Sequence, residues 1–465
     1  MRYILQKDCR LRGWKGDPFW LEYFPDRSRR KLSAEEFAFF LRCDGRTELS
    51  RDEWPREPEG AVQEGIIREA YEGTVLLPEQ EYFLYPNRKT DDLHLSLTGR
   101  CNFNCRHCFN ARDIRPRTVQ PTQEQLFALM DQMDSCGVGR VRLDGGEPLT
   151  RPDFLLITAE LARRGIRLRE LMTNGYLVTP ELADALAAQG HRPAWCVSFD
   201  GLGCHEWLRR VEGAEEAALR AIQFLCARGC EVRVHQCVWK DSLASVRPTV
   251  LKMQEMGVTR YRITVVEPSP RWKELAGGQT ICPEEWLALI PGFLEWWYRN
   301  RIDMDLNLWG YWFHTRGSDR VHILPDLCSR GADDSLPACP THRRMPFVDA
   351  DGRIVPCMAL SGITDAMGEF WGNVYRGDHL QEILTDSPFL RQISMTCGEL
   401  KAKSPECRAC AWRGQCTTGC RAEAMTQGNG INGPDRRMCL FYRSGTFERL
   451  LAIARQFGLK TQDAP

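Results

Sequence analysis

The chain has no excess charge of either sign: 62 Lys and Arg residues face 62 Asp and Glu residues across 465 positions. No electrostatic case therefore exists for nucleic acid or an anionic membrane as the main partner. No apolar run approaches the roughly 18 residues needed to cross a bilayer. The start, Met1 to Asp8, lacks the apolar core of a secretion signal. These absences predict a cytoplasmic protein. One further shortage is local. Cys101, Cys105 and Cys108 stand in the run C-N-F-N-C-R-H-C, and that loop offers no fourth cysteine. An iron–sulfur cube held by three thiolates keeps one iron open to another ligand.

Cysteine itself is plentiful, with 21 in the chain. In a large chain without an export signal, metal binding or catalysis is favoured over disulfides. Many of the cysteines sit in C-x2-C or C-x3-C spacings, which suit a metal chelate better than long bridges. Cys136, Cys196, Cys226, Cys230 and Cys237 lie instead in periodic apolar segments and read as small buried hydrophobes. Hydrophobic content of 43% and charge of 27% are those of an ordinary globular protein, and the length allows about two to four domains.

Between about 93 and 268, strand-like and helix-like segments alternate. Candidate strands are 93–97, 140–143, 168–173, 194–199, 231–238 and 261–266; candidate helices are 123–135, 154–164, 180–189, 215–228 and 243–256. Connections of this length, each holding a helix, predict a parallel sheet with right-handed crossovers. Six such units fall short of a closed eight-stranded barrel. The expected fold class is therefore α/β, a partial (β/α)6 TIM-like barrel over 89–270. Unusual residues cluster just after its strands: the cysteine triad, then Gly145-Gly146-Glu147-Pro148, then Thr173-Asn174-Gly175, then Ser198-Phe199-Asp200-Gly201. In parallel βα folds the carboxyl ends of the strands form the active face.

Residues 1–88 read as a separate domain. A turn-rich start (Gly13, Gly16, Asp17, Pro18) leads into aromatic strand-like sequence at 19–24. A helix follows over 34–41, opened by a capping box at Ser33 and Glu36 and ended by Asp44-Gly45. The charged, proline-containing stretch 51–60 reads as a loop. A small winged-helix-like unit is expected here. Residues 271–338 read as a bridge, 339–445 as a cysteine-rich iron–sulfur domain and 446–465 as a tail. Within the bridge, the aromatic run from Trp309 through Tyr311 and Trp312 to His314 either lines a channel or forms core, core being the commoner use. Asp351-Gly352 marks a hairpin turn ahead of Cys357. Cys407, Cys410, Cys416 and Cys420 then follow at C-x2-C-x5-C-x3-C, with Cys439 last.

The triad loop after its strand resembles the signature of radical SAM enzymes. In that family the open iron binds the amino and carboxyl groups of S-adenosylmethionine (SAM), and one electron from the cluster splits the sulfonium into a 5′-deoxyadenosyl radical. The C-terminal pattern, with Gly352-x4-Cys357 included, resembles the SPASM extension of radical SAM maturases. The two resemblances cover roughly 93 to 439. They imply SAM and three [4Fe–4S] clusters, one that binds SAM and two auxiliary. By position, the first auxiliary cluster takes Cys339, Cys357 and Cys420, and the second takes Cys407, Cys410, Cys416 and Cys439. The fourth ligand of the first varies among relatives. Cys328 is the candidate and Cys397 the weaker one; if neither binds, an open iron could accept a substrate thiolate. A zinc ribbon is the alternative, since C-x2-C pairs also suit tetrahedral zinc.

The resemblance further places His107 near the adenine, although it could equally pack the loop. Gly145 and Gly146 would let backbone meet the methionine amino group, and Glu147 would supply a carboxylate to that ammonium. Asn174, Ser198 and Asp200 occupy positions that resemble ribose and carboxylate contacts, or else shape their turns. No residue stands out as a catalytic acid or base. The segment before 93 weakly resembles leader-peptide recognition domains, which add an extended peptide to a sheet edge; a structural cap is the plainer reading. The whole implies an enzyme that takes hydrogen from a ribosomally made precursor peptide and forms a thioether, carbon–carbon or carbon–oxygen crosslink. An external donor such as flavodoxin or ferredoxin would supply electrons. Rival readings are a sulfatase-maturase-like or small-molecule SPASM enzyme, and a non-enzymatic iron–sulfur or zinc scaffold or electron carrier. Sulfatase-maturing relatives have an aspartate after the cysteine equivalent to Cys357. Met358 stands there in this chain.

Overall fold

The computed structural model of the chain describes residues 1–24, 26–49, 58–108, 119–323, 334–339, 344–361 and 372–461. Its N-terminal strands are β1 (Arg2–Leu5), β2 (Cys9–Trp14), β3 (Asp17–Tyr23), β4 (Ser28–Lys31), β5 (Asp44–Glu48), β6 (Ile67–Glu69) and β7 (Phe83–Tyr85). They pair as two small sheets, in the orders β5-β1-β6 and β4-β3-β2-β7. A helix, Ala34–Arg42, lays Phe37, Phe39 and Phe40 into the core between them. Ser33 and Glu36 cap it reciprocally, the Glu36 amide donating to Ser33 Oγ at 3.1 Å and the Ser33 amide to Glu36 Oε2 at 2.9 Å. This domain is richer in strand than its winged-helix-like reading. Short segments such as Arg2–Leu5 and Asp44–Glu48 become strands only through pairing at long range.

The large sheet begins with β8 (Leu93–Ser96), β9 (Arg140–Asp144), β10 (Arg167–Thr173), β11 (Ala194–Ser198), β12 (Val232–Val238), β13 (Arg260–Val265) and β14 (Asp305–Leu308). Each lies parallel to the next. Helices Gln123–Ser135, Phe154–Arg163, Pro180–Ala188, Ala214–Ala227, Val246–Glu255 and Pro283–Arg299 make the crossovers. In the first, Leu126, Leu129, Met130 and Met133 recur at helical spacing and are buried against Leu93, Leu95, Val141 and Leu143. The alternate strand residues face away from the helices, into the concave side of the sheet. Antiparallel β15 (Trp312–His314) and β16 (Arg320–Ile323) extend one edge. A hairpin, β17 (Phe347–Val348) and β18 (Ile354–Val355), joins β8 at the other, and β19 (Lys460–Thr461) adds to β16. The order runs from β18 to β19 without closing, so the 12-stranded sheet is an open barrel.

Three boundaries shift from the sequence reading. The sixth βα unit ends on β14, so the parallel run passes 270. The stretch read as a bridge supplies the helix Pro283–Arg299 and three strands of the main sheet. The stretch read as a tail forms the helix Thr446–Gln456, whose Leu450, Ile453 and Ala454 are buried in the main core.

Arginines tie the N-terminal domain to the barrel. Glu22 is 1% exposed and takes Arg27 Nη1 at 3.0 Å on one oxygen and Arg29 Nε at 2.8 Å on the other. Both arginines then reach barrel carbonyls, Arg27 Nε to Gly165 at 3.2 Å and Arg29 Nη2 to Gly137 at 2.6 Å. Trp14 Nε1 adds a bond to the Cys136 carbonyl at 3.0 Å. Removing one member of a buried ion group strands the others and costs about 3–5 kcal/mol. Glu22→Ala is therefore expected to loosen this junction by about that amount. Chemical denaturation, with limited proteolysis between residues 1 and 92, reads the effect.

Candidate active site

The loop after β8 is held against the turn after β9 by two glycines. Gly145 has φ of +143°, outside the range of ordinary L residues, and a Cβ on it would stand 2.4 Å from the Thr98 carbonyl oxygen. A Cβ on Gly146 would stand 2.1 Å from the Arg100 carbonyl oxygen. The Gly146 amide donates to Thr98 O at 2.6 Å and the Glu147 amide to Arg100 O at 2.8 Å. The glycine pair thus packs directly under the start of the cysteine loop.

On that loop Cys101, Cys105 and Cys108 pack together with Phe103, Val211 and Ala214. The Phe103 amide donates to Cys101 Sγ at 3.3 Å. Burial pushes the Cys101 thiol up to about 12, helped by the nearby Glu147 carboxylate. Burial raises Cys105 too, against the pull of the Arg209 guanidinium. Such thiols stay neutral unless a cation holds them as thiolates. Two further side chains fasten the loop. Arg271 Nε donates to the Cys105 carbonyl at 2.9 Å, and Asn174 Nδ2 donates to Asn102 Oδ1 at 2.8 Å.

Glu147 is 1% exposed. It accepts from Thr173 Oγ1 at 2.9 Å, the Asn174 amide at 2.7 Å and the Leu149 amide at 3.3 Å, so it ties the end of β9 to the end of β10. No cation pairs with it in a salt bridge among the described residues. Burial pushes its carboxyl from 4.5 up to about 7, and the three hydrogen bonds only partly oppose that. A buried carboxylate of this kind fits a cationic ligand.

Ser198 closes β11, half-buried at the rim. Asp200 lies two residues on. It is fully buried and its oxygens are committed: Arg209 Nε at 2.5 Å, Arg209 Nη2 at 3.1 Å and the Cys237 amide at 3.1 Å. His107 turns inward, and its ring nitrogen, the Asp200 carboxylate and Cys237 Sγ lie within 4.8 Å of one another. Cys237 thus borders the site and is no bystander in an apolar segment. Arg209 and Arg271 carry no sequence motif, and nothing in the sequence singles them out. On the concave face below, Glu170 is enclosed by Arg142 at 2.9 Å and Arg233. Arg262 lies over the ring of half-exposed Trp309 at 3.8 Å. Tyr311, Trp312 and His314 are buried, the core role for that aromatic run.

The C-terminal cysteines fall into two sets. Cys339, Cys357 and Cys420 share one apolar cluster with Phe347, Leu360 and Met358. Phe347 sits edge-on to His94 at 5.0 Å, so this cluster borders the concave face. Cys407, Cys410, Cys416 and Cys439 line one pocket with Trp412, Lys401 and Tyr442. Burial raises Cys416 to about 11 and Cys420 to about 11. Cys328 lies outside the described residues. Cys397 is buried beside Ala338 and Leu400, one residue past a bridge between Pro337 and Thr396 that brings it to the Cys339 segment. The donor set, seven thiols in two groups of three and four, suits iron–sulfur clusters and equally the chemistry of tetrahedral zinc.

Two expectations follow. Gly146→Ala forces the cysteine loop off the β9 turn and lowers the iron retained per chain several-fold at near-normal circular dichroism; iron analysis after reconstitution checks it. For Glu147 the folded pKa is raised, so the folded state binds the proton more tightly. In metal-free protein, the contribution of Glu147 to stability is fully present below 4.5 and is lost as pH rises to about 7. Glu147→Gln removes most of that decline, as read by urea unfolding across the same range.

Residues 95–239 match the family model described as "Radical SAM superfamily". The AdoMet-dependent heme synthase of Methanosarcina barkeri is 27% identical over 332 residues, covering 70% of this chain and 90% of its own. The mycofactocin maturase MftC of Mycobacterium tuberculosis is 26% identical over 348 residues, covering 73% and 80%. The crystal structure of Streptococcus suis SuiB bound to S-adenosylmethionine has the same fold, with TM-score 0.64, 15% identity and coverage of 94% of this chain and 99% of that one. SuiB bound to its precursor peptide SuiA gives 0.62. The cysteine loop, the glycine turn and the buried Glu147 all lie inside the segment that matches the radical SAM family model.

Proposed function

We propose that this chain is a radical SAM maturase that oxidises a ribosomally made precursor peptide. The observation that carries the reading is the convergence, at the carboxyl ends of consecutive parallel strands, of a three-thiol loop and a buried carboxylate without an ion-pair partner among the described residues. Cys101, Cys105 and Cys108 would hold the cluster. Glu147 would take the ammonium of SAM, with the Gly145-Gly146 backbone beside it. Ser198 and Asn174 would face the ribose and carboxylate, and His107 would pack toward the adenine. Bound there, SAM and a reduced cluster would supply a 5′-deoxyadenosyl radical that removes one hydrogen atom from the peptide. The product would be a thioether, carbon–carbon or carbon–oxygen crosslink. Its second hydrogen leaves as a proton and an electron, and the sets Cys339/Cys357/Cys420 and Cys407/Cys410/Cys416/Cys439 would hold acceptors for that electron. Cys328 or Cys397 would complete the first set.

A peptide substrate is favoured by the similarity to a mycofactocin maturase, by the shared fold with SuiB bound to a precursor peptide, and by the N-terminal domain. Of the large apolar side chains exposed among the described residues, Leu41, Val62, Tyr71, Val75, Leu77, Phe83 and Leu84 all lie in that domain. Strand β7 is a sheet edge, and its Phe83 and Leu84 are each 52% exposed. An apolar edge of this kind suits strand addition by an extended leader. A second reading, action on a small molecule, is favoured by the similarity to a heme synthase.

Co-expression with the short open reading frames beside the gene tests the proposal. A peptide that loses the mass of two hydrogens, with 5′-deoxyadenosine formed in proportion, is expected. Phe83→Asp with Leu84→Asp should reduce that conversion several-fold at limiting peptide while SAM cleavage without peptide stays unchanged. SAM cleavage with no peptide modified, and a carboxylated tetrapyrrole consumed instead, would favour the second reading. Iron analysis bears on the cluster number: three four-iron clusters require about twelve irons per chain.

A further inference from the structure

Asp200 and Arg209 form a buried unit whose free edge points at the cysteine loop. Arg209 closes the short helix His205–Arg209, and its side chain is 10% exposed. Two of its nitrogens, Nε and Nη2, grip the two oxygens of Asp200 at 2.5 Å and 3.1 Å. The third, Nη1, lies 3.8 Å from Cys105 Sγ, a hydrogen-bond distance for sulfur. Asp200 is fixed in turn. Its carboxylate takes the Cys237 amide at 3.1 Å and stands 3.2 Å from His205 Nδ1, and its carbonyl accepts from Gln236 Nε2 at 3.1 Å.

The helix and the loop are fastened together as well. The Arg106 amide donates to Leu208 O at 2.9 Å and Arg106 Nε to Trp207 O at 2.9 Å, so a residue of the cysteine loop caps the helix carbonyls. The next residue, Arg210, holds φ of +60°, a left-handed conformation that is strained for a non-glycine residue. Strain of this sort persists where the surroundings over-determine it.

We infer that Arg209 is a positioning residue for the radical centre. It holds Cys105 by a charge-assisted N–H···S bond and sets the ease with which the cluster bound there is reduced. The inference rests on the reading that Cys101, Cys105 and Cys108 hold an iron–sulfur cluster. Hydrogen bonds and positive charge at a ligand sulfur draw electron density from it and favour the reduced state. Asp200 neutralises the guanidinium, which lets it stay buried, while the planar fork leaves one N–H for sulfur. A lysine keeps the charge but cannot make both contacts in that geometry.

The test uses the full chain, reconstituted without oxygen, in wild-type, Arg209→Gln and Arg209→Lys forms. Each is poised with dithionite at fixed pH. The paramagnetic signal that changes when SAM is added reports the cluster on the triad. With iron per chain near wild type, the ratio of reduced to oxidised cluster is expected to fall about tenfold in Arg209→Gln, the worth of one charge-assisted hydrogen bond, and by less in Arg209→Lys. If Arg209→Gln loads poorly, Arg209→Lys decides. A wild-type ratio in every variant that loads iron overturns the inference and leaves the proposed function standing. Absence of any SAM-sensitive signal in the wild-type protein overturns both.

Discussion

Everything proposed for the site depends on one close approach, the Gly145-Gly146 turn lying against the carbonyls of Thr98 and Arg100. A side chain at either glycine would meet backbone at 2.4 Å or 2.1 Å, so no other residue allows the contact. The contact does two things at once. It sets the start of the cysteine loop in register with the ends of β8 and β9. It also brings Glu147 under the loop, where three donors from β10 and its own turn receive the carboxylate. The ligand loop and the anion are therefore positioned by the same stretch of backbone, on rigid strand ends, with Arg209 and Arg271 bracing the loop from the far side.

The concave face below this rim carries charge and not the apolar filling of a closed barrel. Glu170 between Arg142 and Arg233, and Asp305 paired with Arg260 at 2.9 Å, line strands whose other face is mostly apolar. The polar concave side of the open sheet runs from the triad loop toward the first C-terminal cysteine set, which meets that face through Phe347 and His94. The hairpin β17–β18 makes this possible by adding to β8, so the sheet that ends at the triad loop also begins next to Cys357.

Much of this was legible in the sequence because its signals are local. Period-two strands, amphipathic helices such as the one capped at Ser33, and the spacings of the cysteines need no knowledge of the fold. What the sequence hid is non-local. Strand β14, Asp-Leu-Asn-Leu, alternates over only four residues, too short a run to stand out without its pairing with β13. The helix Thr446–Gln456 was read as a tail because it lies past the last cysteine, although its apolar face is buried in the main core. Arg209 is one arginine among many, and its partner sulfur is 104 residues away. Cys237 looked like filler because its neighbours are apolar; the pleat that turns Val238 into the core turns Cys237 toward His107 and Asp200.

The most direct measurement is 5′-deoxyadenosine released when SAM and dithionite are added to the protein reconstituted without oxygen, beside a Cys105→Ala variant treated identically. The account predicts release from the wild-type chain and none from the variant, with both forms folded. Equal release from the two, or none from the wild type despite a full complement of iron, would contradict it.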